Sequence, residues 1–331
     1  MNVTTDADSA QAIADIWFFN VGQGDCTLIV DHASRQAVLI DCPTWHVDEL
    51  HATLALVDAE IFAAVVTHWD LDHYGGLSRI SQATNPSHVY YNHDTLFPEN
   101  KPQYGKYIKT TLQAFLDLTP FGTVLHSLRY EDEFHVGAVR VRFLAPTQEE
   151  VTRAYLASRR NVASAVVEIE AGSFRALIGG DAVAATWERL LVSSEDLSAN
   201  IVRWPHHGAT LSGGSNELID RVLDAVGPEQ VIISAGFGNN YMHPSRDVVS
   251  SAIGRIRILC TEVTAQCFGY RTRYSQETAA ARSVLDSVLS PACAGTVRVT
   301  VTESGIIISP SVQDHTIKID DWPQPMCRSQ A

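Results

Sequence analysis

An α/β (α+β) architecture follows from three features of the chain. Short runs of strand length, apolar throughout or alternating apolar and polar, recur along it and are bounded by Gly, Asn and Asp. Helix-like stretches separate these runs instead of following them as a block, which gives two β-then-α halves, residues 13–118 and 123–255. The chain has 331 residues, 45% of them apolar, enough side chain for a large core in one large domain or two smaller ones.

Residues 1–11 are polar and read as a disordered tail, without the basic start and apolar stretch of a secretory signal. No apolar run approaches the length of a membrane span, so the expectation is a soluble, cytoplasmic protein with no membrane partner. Residues 13–21 and 26–30 form a hairpin about Gly22-Gln23-Gly24-Asp25, and 37–40 is a third strand ending at Asp41. A helix over 46–57 precedes a buried strand over 61–66. A helix opens at 74–80, a strand covers 87–91 and leads to His93, and 104–118 is helical. Strands follow at 123–126 and 138–144. The alternation of NVASAVVEI predicts a strand over 161–169, paired through Ala171-Gly172 with 174–178 and followed by a helix over 183–191. A buried strand at 199–204, a helix at 216–226 and a strand at 231–234 lead to a helix at 245–253, with Pro244 suited to its first position. Beyond it lie a helix-like stretch in 270–295, a hairpin of 296–302 and 306–309 about Ser304-Gly305, and a polar tail from Asp314.

The formal net charge is −14, and a surface of that sign repels polyanions. Basic residues are mostly Arg. Three of the four Lys fall in 101–109, the one candidate basic spot, so long duplex DNA is a poor fit. Cys26 and Cys42 sit in strand-like surroundings and read as buried free thiols. Cys260, Cys267 and Cys293 are spaced C-x6-C-x25-C, which fits no common zinc pattern. Free thiols are the default in a reducing compartment, and a structural metal with His315 as a fourth ligand is the alternative.

The chemistry concentrates in VVTHWDLDHYGG, residues 65–76. His68, Asp70, Asp72 and His73 place four potential ligands within six residues, just past a buried strand. Imidazole and carboxylate are the ligand set for zinc, manganese or iron. A lone Asp-x-Asp would be a polar turn, but four such groups together point to a metal site.

HWDLDH followed by YGGL resembles the HxHxDH motif of the metallo-β-lactamase fold, with Asp70 in place of the second His. The H-x-D-x-D-H-x-G-G form is most similar to the hydrolase domain of ComEC-type DNA-uptake proteins and their free-standing relatives. FNVGQGDCTLIV and AVLIDC resemble the opening of that domain, with Asn20 where it often has Asp. Asn161, Ser164, IGGD and Trp187-Glu188 resemble its N-x-x-S-x-V, L-x-G-D and following helix. PHHGAT is similar to P-H-H-G-S, with Ala209 where Ser is usual, and GFGNNYMHPS to S-x-G-x-N-x-Y-x-H-P. The resemblance spans roughly residues 14–258. It implies a four-layer αββα sandwich of two mixed β-sheets flanked by helices over 12–258, with residues 259–331 as an extension that completes or covers it.

For the site, the resemblance implies two divalent ions, Zn2+ or Mn2+, sharing a bridging water of lowered pKa. His68 and Asp70 would hold the first ion, and Asp72, His73 and His207 the second, with His206 the alternative to His207. Asp181 would bridge them, although on residue pattern alone it reads as a helix N-cap. The usual fold has a further His with no clear equivalent here; either His126 or His135 serves, or the first ion is held in a more open and weaker site. Asp70 makes its site harder, which favours manganese as well as zinc. Gln23 and Asp25 would brace the ligands. Asp72 and His243 are the catalytic candidates, His243 as a phosphate contact or general acid, or else as a loop His that orders a turn. Asn239, Tyr241, His243 and Thr210 are the candidate substrate contacts, with Thr210 or Ser212 replacing the Ser hydroxyl lost at Ala209. The implied activity is a phosphodiesterase or nuclease acting on single-stranded nucleic acid or a nucleotide. An acyl hydrolase for a thioester, lactone or β-lactam, and a non-catalytic binding module with a degenerate site, are the other readings. No protein partner is indicated.

Overall fold

The computed structural model describes residues 11–93, 102–211, 215–237, 239–264, 267, 292–320 and 325–327. The first half runs β1 (Ala12–Phe18), β2 (Thr27–Asp31), β3 (Gln36–Ile40), α1 (Val47–Val57), β4 (Glu60–Val65), α2 (Leu71–Tyr74), α3 (Leu77–Thr84), β5 (His88–Tyr91), α4 (Pro102–Leu118) and β6 (Val124–Ser127). The second runs β7 (Glu133–Val136), β8 (Val139–Ala145), α5 (Gln148–Ala157), β9 (Val166–Ala171), β10 (Phe174–Ile178), α6 (Ala184–Val192), β11 (Ile201–Arg203), α7 (Asn216–Val226), β12 (Gln230–Ile233), α8 (Arg246–Ala252) and β13 (Arg257–Cys260). β14 (Val297–Thr302), β15 (Gly305–Ser309) and α9 (Val312–Asp320) follow.

Two mixed sheets result, ordered β15-β14-β1-β2-β3-β4-β5-β6 and β13-β12-β11-β10-β9-β8-β7. Each buries both faces along its central strands, and three apolar cores record the layering. One lies between the sheets, where Ile16, Ile29 and Val65 meet Val141, Val167 and Ile178. A second packs Leu50, Leu77 and Phe115 of the first-half helices on Leu28 and Leu39. A third packs Trp187, Leu218 and Val222 on Leu177 and Val202. This is the expected αββα sandwich. α7 shows its local logic. Leu218, Ile219, Val222, Leu223 and Val226 recur at helical spacing and are buried, the Ser215 side chain caps the first turn, and Gly227 ends the helix at φ 56°.

Several elements depart from the expectation. β6 belongs to the first sheet, so the halves divide after Ser127. The alternating run at 161–169 is only partly strand. Arg160–Ala163 is a 3-10 turn and β9 begins at Val166, because the chain is tied across the sandwich by Ala165 N–H donating to the Thr67 carbonyl at 3.0 Å. The helix expected at 74–80 is broken into α2 and α3, because Gly76 packs on the Cys42 and Pro43 carbonyls, where a Cβ would approach within 2.9 Å. Pro244 precedes Ser245, the N-cap of α8, and is not the first helical residue. β7, α5, β13 and α9 are additional elements. α5 carried a legible signal, the capping box of Thr147 and Glu150. Residues 1–10 of the predicted tail, and 270–291 of the helix-like stretch, lie outside the described residues. Among the described residues no helix is long and apolar enough to cross a membrane.

Candidate metal centre

The carboxyl ends of β3, β4, β10, β11 and β12 meet at one end of the sandwich. β3 stops at Asp41, which turns in the left-handed region at φ 57°. Its buried carboxylate accepts Thr67 N–H at 2.9 Å, the Thr67 hydroxyl at 2.5 Å and His73 Nδ1–H at 2.8 Å. Those bonds fold the loop after β4 back on itself and aim His73 Nε2 into the centre. His207 is oriented in the same way, with Nδ1–H donating to the Ser234 carbonyl at 3.1 Å and lying 3.4 Å from Asp25 Oδ1. Buried Arg203 holds Asp25 at 2.8 Å. His68 keeps Nδ1 near the Thr67 and Ser164 hydroxyls, at 3.2 and 3.4 Å. Three imidazoles are therefore anchored through Nδ1 and present Nε2 inward, the arrangement by which outer partners fix a ligating His.

The inward atoms converge. His68, His73 and Asp181 form one group of potential ligands, and Asp72, His73 and His207 a second, each with its atoms within 4.8 Å of one another. His73 Nε2 is 3.3 Å from Asp181 Oδ1 and 3.4 Å from His207 Nε2. His207 Nε2 is also 3.4 Å from Asp72 Oδ2. On the other side, His68 Nε2 and His206 Nε2 each lie 3.6 Å from Asp181 Oδ2, and Asp70 Oδ2 is 3.4 Å from His68 Nε2. His206 and His207, both at positive φ, thus face opposite sides of Asp181. Asp181 is not a helix cap, since Val183 holds the N-cap position of α6.

Electrostatics follow from this crowding. Burial opposes ionisation of Asp181, but the His73, His207 and His68 charges outweigh it and hold the carboxyl well below its usual range. Asp70 is likewise held low, against burial, by His68 and by Arg160, whose guanidinium is 2.9 Å away. Burial pulls His207 down, yet Asp181, Asp25 and Asp72 raise it to about 10, and Asp181 and Asp41 raise His73 well above its ordinary value. Protons on these imidazoles balance the carboxylates that a cation would otherwise balance. The fit to a metal rests on two buried ligand atoms, His68 Nε2 and Asp181 Oδ1, which have no hydrogen-bond partner.

His243 stands beside the centre, its ring 5.6 Å from that of His206. Burial and then the neighbouring His207 and His206 lower it to about 4, so it is neutral at pH 7. Thr210, Tyr241, His243, Ser245, Arg246 and Asp247 line an open cleft of about 570 Å³. Asn239 is committed elsewhere. Its Nδ2 donates to the Gly236 and His243 carbonyls, and its Oδ1 accepts the Tyr241 and His243 amides, so it shapes the loop and has no face to offer substrate. Neither proposed substitute for the missing His reaches the centre. His126 bonds to His88 at 3.0 Å on β6, and His135 is exposed on β7. Ser212 lies outside the described residues. Sequence reasoning passed over the roles of Asp41, Arg160 and Arg203. The only signal for Asp41 and Arg203 was a charged residue at the end of an otherwise apolar strand, and Arg160, in the 3-10 turn of Arg160–Ala163, carried none.

The sequence model of the metallo-beta-lactamase superfamily matches residues 19–218, more than half of the chain. Among solved structures, the chain is similar to the metallo-beta-lactamase fold protein YhfI from Bacillus subtilis, with 11% identity, 67% of this chain and 86% of that chain covered, and a TM-score of 0.44. It is also similar to ETHE1 from Myxococcus xanthus, with 18% identity, coverage of 62% and 66%, and a TM-score of 0.34. For Zn2+-bound PqqB from Methylobacterium extorquens the identity is 12%, the coverage 58% and 72%, and the TM-score 0.38. No curated protein matches.

Proposed function

The chain belongs to the metallo-beta-lactamase superfamily, and on that premise we propose that it is a metal-dependent hydrolase that cleaves phosphodiesters, in single-stranded nucleic acid or a nucleotide. Two divalent ions, Zn2+ or Mn2+, are assigned to the two sides of Asp181. His68, Asp70 and His206 would hold one, and Asp72, His73 and His207 the other, with Asp181 between them. His206 then takes the place for which the sequence offered no His. Bound there, divalent ions supply Lewis acidity and a water of lowered pKa.

The chain's own groups do the rest. Asp41 and Asp25 hold His73 and His207 in the tautomer that leaves Nε2 facing inward. Arg160 fixes Asp70 and keeps it ionised. Arg246, Thr210 and Tyr241 line the adjoining cleft and suit an anionic substrate. His243, neutral at pH 7 and with Nδ1 lacking a partner, is better suited to a hydrogen bond with substrate than to acting as an imidazolium acid.

The observation that carries the reading is the pair of orphaned ligand atoms, His68 Nε2 and Asp181 Oδ1. The choice of phosphodiester is supported by the H-x-D-x-D-H-x-G-G resemblance and by Arg246, which lines the adjoining cleft beside Asp247. The net charge of −14 favours a short strand over duplex DNA. The test is hydrolysis of bis(p-nitrophenyl) phosphate by protein reconstituted with zinc or manganese, beside a chromogenic lactam and a thioester. Diester cleavage is expected. Turnover of the acyl substrates alone would replace this proposal with acyl hydrolysis.

A further inference from the structure

Away from the metal centre, on the outer side of the second sheet, the fold gathers four of the chain's six cysteines. Cys260 ends β13 and is buried. Cys293 is brought beside it by two backbone bonds, Cys293 N–H to the Thr261 carbonyl at 3.0 Å and Ala294 N–H to the Cys260 carbonyl at 2.8 Å. Cys267 lies in a turn closed on Thr264, and Cys267 and Cys327 pack against the same core as Cys260 and Cys293. The Cys293 thiol is raised, first by Cys327 beside it and then by burial and by Cys260 and Cys267. His315, buried on α9, points Nε2 at the Cys293 sulfur at 3.4 Å.

We infer that this cluster is a structural zinc site, in which Cys293, His315, Cys327 and one thiol of Cys260 or Cys267 hold a single ion. The first argument is distance. Zinc bonds of about 2.3 Å to sulfur and 2.0 Å to nitrogen in a tetrahedron put the two ligand atoms about 3.5 Å apart, close to the observed 3.4 Å. The second is the donor set, since thiolate with imidazole is the soft combination that selects zinc. Burial holds the Cys267 thiol above its ordinary value, although backbone groups of Met326 and Thr264 hydrogen-bond its sulfur and oppose that rise, so a metal binding here would have to displace the thiol proton. Three ligand atoms within 4.8 Å of one another occur, among the described residues, only at the centre beside Asp181. Closure here therefore requires the thiols to turn inward as they bind and release their protons to solvent.

The site would have a mechanical role. β14 and β15 join the first sheet through β1, while Cys260 ends the edge strand of the second. An ion joining Cys260 or Cys267, Cys293, His315 and Cys327 would clasp the C-terminal segment to the second sheet as its hairpin pairs with the first. This inference does not depend on the hydrolase assignment.

The test uses the full chain with His73→Ala and Asp181→Ala, which disable the centre beside Asp181, loaded anaerobically with Co2+. One cobalt per chain with a thiolate-to-cobalt charge-transfer band in the near ultraviolet is expected, a band that imidazole and carboxylate ligands do not produce. Cys293→Ser should remove it. Cys260→Ser and Cys267→Ser, made singly, identify the fourth ligand as the one whose loss weakens the band. On unaltered protein, zinc should protect three thiols from a thiol reagent, and a chelator should expose them. Absence of the band together with zinc-independent thiol reactivity would overturn the inference, as would a Cys293–Cys327 disulfide in the purified protein.

Discussion

The two sheets build their sides of the metal centre in different ways. The first supplies His68, Asp70, Asp72 and His73 from one loop after β4, braced by Asp41 at the end of the neighbouring β3. The second supplies Asp181 after β10, His206 and His207 after β11, and the loop holding His243 after β12. β10, β11 and β12 are adjacent and parallel, so their carboxyl ends stand side by side and bring together groups far apart in sequence. Chain proximity makes one side of the site, and strand order makes the other. The first side should tolerate distant changes to the sandwich, while the second depends on the register of three strands.

Substitution of Asp181 breaks the comparison most severely, because this residue faces both sides. Asp181→Ala should abolish turnover and reduce metal content, with the circular dichroism spectrum of the folded protein retained. A fully active variant would remove the ligand assignment. Next in size is Asp41→Asn, which leaves the shape of the first side but weakens the acceptor for His73. Loss of such an outer partner typically costs about 10–100-fold in metal affinity or activity, measurable by chelator competition. The smallest effect is expected from Arg160→Met. The Arg160–Asp70 pair is partly exposed, so the change should weaken metal binding by no more than about fivefold, in line with about 0.2–1 kcal/mol for such pairs.

A pH series sharpens the comparison from the electrostatic side. His73 and His207 are raised in the metal-free protein, His207 from 6.5 to about 10. Their stabilisation is complete below 6.5 and is lost as pH rises towards the folded value. Asp70 and Asp181 are depressed from 3.8, so their stabilisation is present above that value and lost as pH falls below it. Metal-free protein should therefore melt at a lower temperature at pH 9 than at pH 6. Metal affinity should change in the opposite direction, because binding displaces those protons. Equal melting temperatures at the two pH values would contradict the charge arrangement.

Much of this was legible in the sequence, for physical reasons that differ between the two halves. His68 to His73 announce themselves, because four ligands after a buried strand have no common structural use. Asp181 and His206-His207 were legible only through resemblance, since one carboxylate or His pair at a strand end carries little information by itself. The side of Asp181 that each His faces was not readable. It is decided by two consecutive left-handed residues, a backbone conformation that neighbouring sequence does not announce. The loop bonds of the Asn239 amide were not legible, because its partners are backbone groups of its own loop. Asp41 was seen only as a strand end because its partners, Thr67 and His73, are reached through the sheet.

The central claim is tested most directly by the metal content of purified protein, followed by diester cleavage with zinc and manganese restored. The account predicts two ions at the centre beside Asp181, both lost in Asp181→Ala, and metal-dependent hydrolysis of bis(p-nitrophenyl) phosphate. Failure to bind metal there after reconstitution would contradict it.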